Sequence, residues 1–178
     1  MSFKNKNIII TGATKGLGKE ISCFFHNRNA NLILSGRSKS LLDNLKKKFK
    51  KNKKNLFFYG DLTKKAKLNE FLNKIEKNYI NIDIIVHCIG GSFGINDPFS
   101  KWSKYSESLN GNLGIAIEIN NRFLKKMIKR KYGNIVHVGS VVSHEANASV
   151  PYVSSKACLA GYVRTMGNYL TNYNVVLS

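Results

Sequence analysis

Acidic side chains are scarce in this sequence: 10 Asp and Glu stand against 29 Lys and Arg, a formal charge of +19. Such an imbalance invites phosphate-bearing partners, because clustered Lys and Arg neutralise phosphate. The lysines, however, are spread over amphipathic stretches rich in Asn and Ile, and no nucleic-acid recognition motif accompanies them. No specific nucleic acid is therefore expected, and small anionic substrates or cofactors suit the field better. The densest basic run, K-K-K-F-K-K-N-K-K at 46–54, closes an amphipathic segment, where cations also favour the negative end of a helix dipole. Long apolar runs are missing as well. None reaches the length of a membrane span, so no membrane is expected as a partner. Residues 1–6 are polar and lead straight into an apolar run, which reads as no signal peptide and a cytoplasmic protein. Cysteine is sparse: Cys23, Cys88 and Cys158 are odd in number and fall inside apolar patterns, as reduced thiols packed like small hydrophobes do, not as a disulfide framework. The histidines, His26, His87, His137 and His144, share no ligand spacing, and no metal is expected.

What is present is a glycine-rich turn, T-G-A-T-K-G-L-G at 11–18, set between an apolar run (Ile8, Ile9, Ile10) and an amphipathic one. That is the strand-turn-helix setting of a phosphate-cradling loop. Gly12, Gly16 and Gly18 follow G-x-x-x-G-x-G, a variant of the dinucleotide fingerprint, with Thr11, Thr14, Lys15 and Leu17 filling the places between. The backbone must turn sharply and approach a pyrophosphate with no side chain in the way, at the positive end of a helix dipole.

The chain of 178 residues, 43% hydrophobic, is long enough for one good core, so a single dinucleotide-binding domain over 1–178 is expected. Apolar runs at 8–10, 32–34, 56–59, 82–87, 135–138 and 174–177 alternate with helical periodicities. Leu17, Ile21, Phe24 and Phe25 mark the first helix face; Leu41, Leu42, Leu45 and Phe49 the second; Leu68, Phe71, Leu72 and Ile75 the third. Long helices are expected at 112–131 and 152–171, the first after a loop broken by glycines and Pro98. Strands without internal alternation, separated by helices, predict an α/β fold: a Rossmann-like, doubly wound parallel sheet with helices on both faces. Ligands of such sheets bind at the carboxyl ends of the strands, beside the Gly12 turn.

The other strand tips are therefore the places to read for chemistry. About 20 residues past the turn, an NAD-binding domain places an acid against the ribose hydroxyls. Here Gly36 stands at that place, followed by Arg37 and Ser38. Without the acid, and with a guanidinium and Lys15 at hand, a 2′-phosphate is favoured over a free hydroxyl, so NADP(H) is expected in preference to NAD(H). The alternative is that Arg37 is one more surface cation of a basic chain. After the third run, Asp61 and Leu62 sit where an acid can face the adenine edge, or where Asp61 or Thr63 can cap the next helix. The fifth run leads into Ser140, and beyond it Tyr152 and Lys156 stand at i, i+4, one above the other on a helix.

These features together resemble the short-chain dehydrogenase/reductase family over essentially the whole chain. The resemblance rests on the T-G-x-x-x-G-x-G turn, Asp61-Leu62, the strand and turn D-I-I-V-H-C-I-G at 83–90, the helix from Asn112 to Met127, G-N-I-V at 133–136, Ser140, and Tyr152 with Lys156. It implies that Asn112, Ser140, Tyr152 and Lys156 are the catalytic residues, with Asn110 a nearby competitor for the first role. It also implies that Cys88, Ile89 and Gly90, together with Tyr152 and Lys156, contact the cofactor, and that the helices at 112–131 and 152–171 form a homodimer or tetramer face. The family turn N-N-A-G reads H-C-I-G here, so the turn's hydrogen bonds must come from elsewhere, with His87 a structural substitute or, less readily, a cofactor or substrate contact. Family members continue past the strand at 174–177 through a Pro-Gly turn, a substrate-covering helix and a last strand, so the chain is expected to be incomplete at its C-terminus.

The expected activity is hydride transfer between a nicotinamide and a carbonyl or alcohol substrate. Tyr152 is the candidate proton donor. A phenol titrates near 10, and an ammonium about 4.5 Å away at an effective dielectric near 20 is worth about 3.7 kcal/mol toward its ionised form. Ser140 would fix the substrate oxygen. Asn112, through its amide or a helix irregularity, would hold a water linking Lys156 to solvent. Segment 139–142 is similar to that of acyl-carrier 3-oxoacyl reductases. The competing classes are a nucleotide-binding but inactive protein that acts by binding or pairing, and a basic nucleic-acid-binding protein.

Overall fold

Six short strands form one parallel sheet. They are β1 (Asn7–Thr11), β2 (Asn31–Gly36), β3 (Leu56–Tyr59), β4 (Ile84–His87), β5 (Gly133–His137) and β6 (Val175–Leu177), in the order β3-β2-β1-β4-β5-β6. The computed structural model describes residues 2–50, 52 and 54–178. Strand order reverses direction between β1 and β4, the switch point at which open α/β sheets hold ligands. Register places Thr11 beside His87, His87 beside His137, and Gly36 beside Tyr59. The chain therefore leaves all these strands along one edge, and every loop that carries a candidate site residue starts there.

Side-chain alternation along the strands fills two cores. Ile8, Ile10, Leu32 and Leu34 face α1 (Gly16–His26) and α2 (Lys39–Lys48) together with Leu45 and Phe49. Ile9, Ile33, Ile85 and Ile135 face the opposite way, against Phe71 of α3 (Lys65–Asn78) and Ile119 of α5 (Ile115–Lys129). Helix α6 (Val150–Leu170) closes that second face through Leu170, with Tyr162, Val163 and Met166 packed against it. Ile8, Ile9 and Ile10 are wholly buried, each worth about 1.5–3 kcal/mol of transfer free energy, which is why a strand without polar alternation is stable only with helices on both sides.

Several elements depart from what the sequence pattern predicts. The helix expected from residue 112 begins ten residues earlier, as α4 (Trp102–Leu109). Its only buried residue is Ser108, so it carries no apolar stripe by which to recognise it. Helix α4 continues through a π turn at Asn110–Gly114 into α5, with right-handed angles throughout the junctions. On α1, Ile21 and Phe25 pack against the core as expected, but Leu17 and Phe24 are exposed; Gly18 and Ser22 are buried, and their lack of bulk lets the helix lie close to the turn. Cys158 is exposed on the outer side of α6, away from the face that buries Ser155, Lys156 and Leu159, whereas Cys23 and Cys88 are partly buried. In the basic run, Lys46, Lys47 and Lys48 form the last turn of α2. Lys51 and Lys53, like Met1 of the N-terminal stretch, lie outside the described residues.

Candidate active site

The turn after β1 needs its glycines for stereochemical reasons. Gly12 and Gly16 have φ of +65° and +48°, and a Cβ on Gly12 would sit 3.0 Å from the carbonyl oxygen of Cys88. A Cβ on Gly18 would collide with the Gly12 carbonyl. Lys15 is the N-cap of α1 and its side chain makes no capping bond, so the first-turn N–H groups are left for an anion. Thr11 is buried and its Oγ1 accepts from the Cys88 N–H at 3.1 Å, which ties this turn to the end of β4.

Beside the turn lies a cavity of about 610 Å³. Gly12, Thr14, Lys15 and Gly16 form one wall; Gly36, Arg37 and Ser38 follow from β2, Asp61 and Leu62 from β3, and Cys88, Ile89 and Gly90 from β4. Thr11, Leu17 and Gly18 do not line it; they shape or flank the turn. A Cβ on Gly36 would run into the Thr14 methyl and displace it. Ser38 caps α2, accepting from the Leu41 N–H at 3.4 Å. Asp61 and Thr63 do not cap α3, whose N-cap is Lys64. The Asp61 carboxylate instead accepts from the N–H and hydroxyl of Thr63 at 3.0 and 2.8 Å, closing a local turn at the cavity wall. Burial pushes the Cys88 thiol up to about 11, so it stays protonated and unreactive at neutral pH. Phe93 is a wall residue that sequence reasoning did not single out within its loop. It takes φ +53° between Gly91 and Gly94, and its ring packs where a side chain on Gly111 of the π turn would be; the flanking glycines were the available signal.

At its inner end the cavity meets the other set of residues. Gly90 lines it, and a Cβ on Gly90 would lie 2.8 Å from Asn112 Oδ1 and 3.2 Å from Lys156 Nζ. Asn112 is buried in the π turn, its Nδ2 donating to the carbonyls of Gly91 and Ser108 and its Oδ1 accepting from the Gly91 N–H, each at 3.0 Å. Asn110 is exposed and donates to the Thr63 carbonyl, so of the two asparagines it is Asn112 that lies, with Lys156, against Gly90. Lys156 is 4% exposed and donates to the Val138 carbonyl at 2.8 Å; burial lowers its pKa from the ordinary lysine value. Tyr152, half-buried, lies one turn earlier on α6. Ser140 is the N-cap of a 3-10 turn, Val141–Ser143; its Oγ accepts from the Val142 N–H at 3.4 Å. The arrangement sets a buried ammonium and a buried amide against Gly90 of the cavity wall, with Tyr152 one helical turn before the ammonium.

A sequence description of short chain dehydrogenases matches residues 6–178. The chain belongs to the short-chain dehydrogenase family. Among curated relatives, the 3-oxoacyl-acyl-carrier-protein reductase of Buchnera aphidicola (subspecies Schizaphis graminum) is 27% identical over 167 residues, covering 93% of this chain and 68% of the relative. The enzyme of the same name from Thermotoga maritima is 28% identical over 177 residues, covering 98% and 72%. Among solved structures, a 7α-hydroxysteroid dehydrogenase complexed with NADH superimposes with a TM-score of 0.88 at 23% identity, covering 98% of this chain and 69% of that one. L-Sorbose reductase from Gluconobacter frateurii, complexed with NADPH, gives 0.88 at 19%, covering 99% and 68%. The family is one of oxidoreductases.

Within this short-chain dehydrogenase, the H-C-I-G turn is held by other means than two asparagines. Thr11 takes the Cys88 N–H, Asn112 clamps both polar backbone groups of Gly91, and His87 turns away from the cavity to Asn120, its Nε2 2.8 Å from Oδ1. His87 is 5% exposed and stacks on His137, so it contacts neither the cavity nor anything bound in it. Among the described residues no group of His, Cys, Asp and Glu is placed to hold a metal ion, and no helix is long and apolar enough to cross a membrane.

Proposed function

We propose that this protein is an NADP(H)-dependent oxidoreductase acting on a carbonyl or alcohol substrate, with Tyr152 as general acid and base. The observation that carries the reading is Gly90, which belongs to the cavity wall and lies against Asn112 and Lys156 at once. The residues fit a dinucleotide: a glycine cradle no Cβ would tolerate, unspent N–H groups at the start of α1, and two cations, Lys15 and Arg37, on the wall. A bound nicotinamide supplies or accepts the hydride. Tyr152 passes the proton to or from the substrate oxygen, Lys156 lowers the cost of charge on that phenol, and Ser140 orients the oxygen. Asn112 fixes the Gly91 backbone beside Lys156, at a π turn of the kind that often marks functional sites.

Support for NADP(H) over NAD(H) comes from Gly36 and Arg37. Position 36 carries no acid to pair with a free ribose, and a side chain there would displace the Thr14 methyl, while Arg37 and Lys15 can pair with a 2′-phosphate. Fluorescence titration tests this. NADPH is expected to bind at least about tenfold more tightly than NADH, and Arg37→Asp to weaken NADPH by about 10–100-fold with little effect on NADH, as loss of a charged hydrogen-bond donor predicts. Equal affinities in the unmodified protein overturn the preference. The curated relatives make a 3-oxoacyl thioester the first substrate to test.

The reading includes self-association through the helices expected at 112–131 and 152–171, here α5 and α6. Light scattering is expected to give a dimer or tetramer; a monomer at all concentrations removes this part of the proposal.

A further inference from the structure

Behind the cavity, two histidines are brought together by strand register. His87 and His137 are in-register partners on β4 and β5, 5% and 8% exposed, with rings stacked 4.7 Å apart at 25°. Asn120, fully buried on α5, joins them. His87 Nε2 is 2.8 Å from Asn120 Oδ1, and Asn120 Nδ2 is 3.2 Å from His137 Nε2 and 3.0 Å from the Tyr162 hydroxyl on α6. His137 Nδ1 is 3.3 Å from the Ser178 carbonyl.

These contacts determine where the protons are. The Ser178 carbonyl only accepts, so His137 must carry its proton on Nδ1 and leave Nε2 as the acceptor of the Asn120 amide. Asn120 Oδ1 then accepts from His87 Nε2–H. The reversed amide would need His137 to donate from both nitrogens, a buried imidazolium close to the Lys156 ammonium, which is the costlier arrangement. His137 is therefore neutral and every polar atom between the two rings is paired. Burial keeps both imidazoles neutral, holding His87 at about 3 and His137, which also feels Lys156, at about 4. The titratable groups facing the pair from the packed elements are Lys156 and Tyr162, both on α6.

Val138 connects this network to the site. It follows His137 directly, its N–H donates to the His87 carbonyl at 3.1 Å, and its carbonyl accepts the Lys156 ammonium at 2.8 Å. We infer that the neutral His87–Asn120–His137 chain, anchored by Tyr162, is a positioning device for Lys156: it fixes the Val138 carbonyl, and with it the ammonium beside Gly90 and Asn112. The inference rests on the proposed role of Lys156. None of these four side chains touches the cavity, so they are positioning residues and not catalytic ones.

The test uses the full chain without cofactor and reads the pH midpoint for labelling of Lys156 by a small amine-reactive reagent, quantified on the Lys156 peptide by mass spectrometry. His137→Phe keeps the stacked ring and removes both nitrogens; Tyr162→Phe removes one hydroxyl. In His137→Phe the midpoint is expected to fall by about one unit, a tenfold change in protonation constant, because the buried ammonium loses a well-placed acceptor. Tyr162→Phe should shift it the same way by less, while NADPH affinity stays within about twofold. Where turnover is present, kcat should fall about tenfold in His137→Phe at unchanged KM. An unmoved midpoint in folded His137→Phe overturns the inference even if Tm falls, since that is what a purely structural pair would do. If His137→Phe does not fold, Tyr162→Phe decides by the same criterion. A shifted midpoint in a protein that neither binds NADPH nor turns over leaves the inference standing and removes the proposed function.

Discussion

Replacing Tyr152 with phenylalanine is expected to lower carbonyl reduction by about 10³-fold, within the 10²–10⁴ range for loss of a positioned general acid, while NADPH affinity stays within a factor of about two. The substitution removes one oxygen. The ring remains in the first turn of α6, and Pro151 keeps its place beside it in that turn. Lys156 keeps its bond to Val138, and the cavity wall is untouched because Tyr152 does not line it. The size of the loss discriminates between roles. A hydroxyl that only makes a hydrogen bond contributes about 1 kcal/mol, a factor of about five, whereas 10³ corresponds to about 4 kcal/mol of transition-state stabilisation. Single-turnover reduction of a 3-oxoacyl thioester followed at 340 nm, beside NADPH titration, gives both quantities. Turnover within tenfold of the unmodified chain overturns the assignment of Tyr152. Weakened NADPH binding with proportionate loss of rate would assign it to cofactor binding instead.

The glycine turn was legible because its requirements are written in residue type: positive φ at Gly12 and Gly16 and close approach at Gly18 leave few alternatives to glycine. The strands were legible for a related reason, since runs such as Ile8, Ile9 and Ile10 have no polar residue to face water. Helix α4 was not, because it buries only Ser108 and so leaves no periodic trace. Nor was the choice between Asn110 and Asn112: both lie in the π turn, and only the fold shows which one points inward. The periodic pattern misjudged α1, where Leu17 and Phe24 look like core and are exposed, because the close glycine contact and not a large side chain sets how that helix sits. The His87–Asn120–His137 network was beyond reach for a different reason. His87 and His137 are fifty residues apart and meet only through strand register. Asn120 sits on a helix whose other buried positions are almost all apolar, and Tyr162 gives no sign in sequence of a hydroxyl turned toward an amide.

That network also makes the protein's stability depend on acid. Stability is expected to fall steadily as pH is lowered from about 6.5 to 4.5, by roughly 2–3 kcal/mol for each of the two buried imidazoles. The sign follows from proton counting. In the unfolded chain both histidines take up a proton near 6.5, whereas in the folded protein they do so only near about 4 for His137 and about 3 for His87. Between these limits the unfolded state binds more protons, so stability rises with pH; the contribution is fully present above 6.5 and is lost as pH falls toward the folded values. The window is informative because carboxylates titrate mainly below it, near 4, and so contribute little. Against a typical total of 5–15 kcal/mol, two such imidazoles bring the fold close to its limit by pH 4.5. Urea midpoints at pH 7, 6, 5 and 4.5 measure the effect. His137→Phe should be less stable at pH 7 yet show about half the pH dependence, since the phenyl ring has no proton to exclude. A flat curve through this window would mean that His87 and His137 bind protons equally in both states, which is incompatible with a paired, neutral arrangement around Asn120.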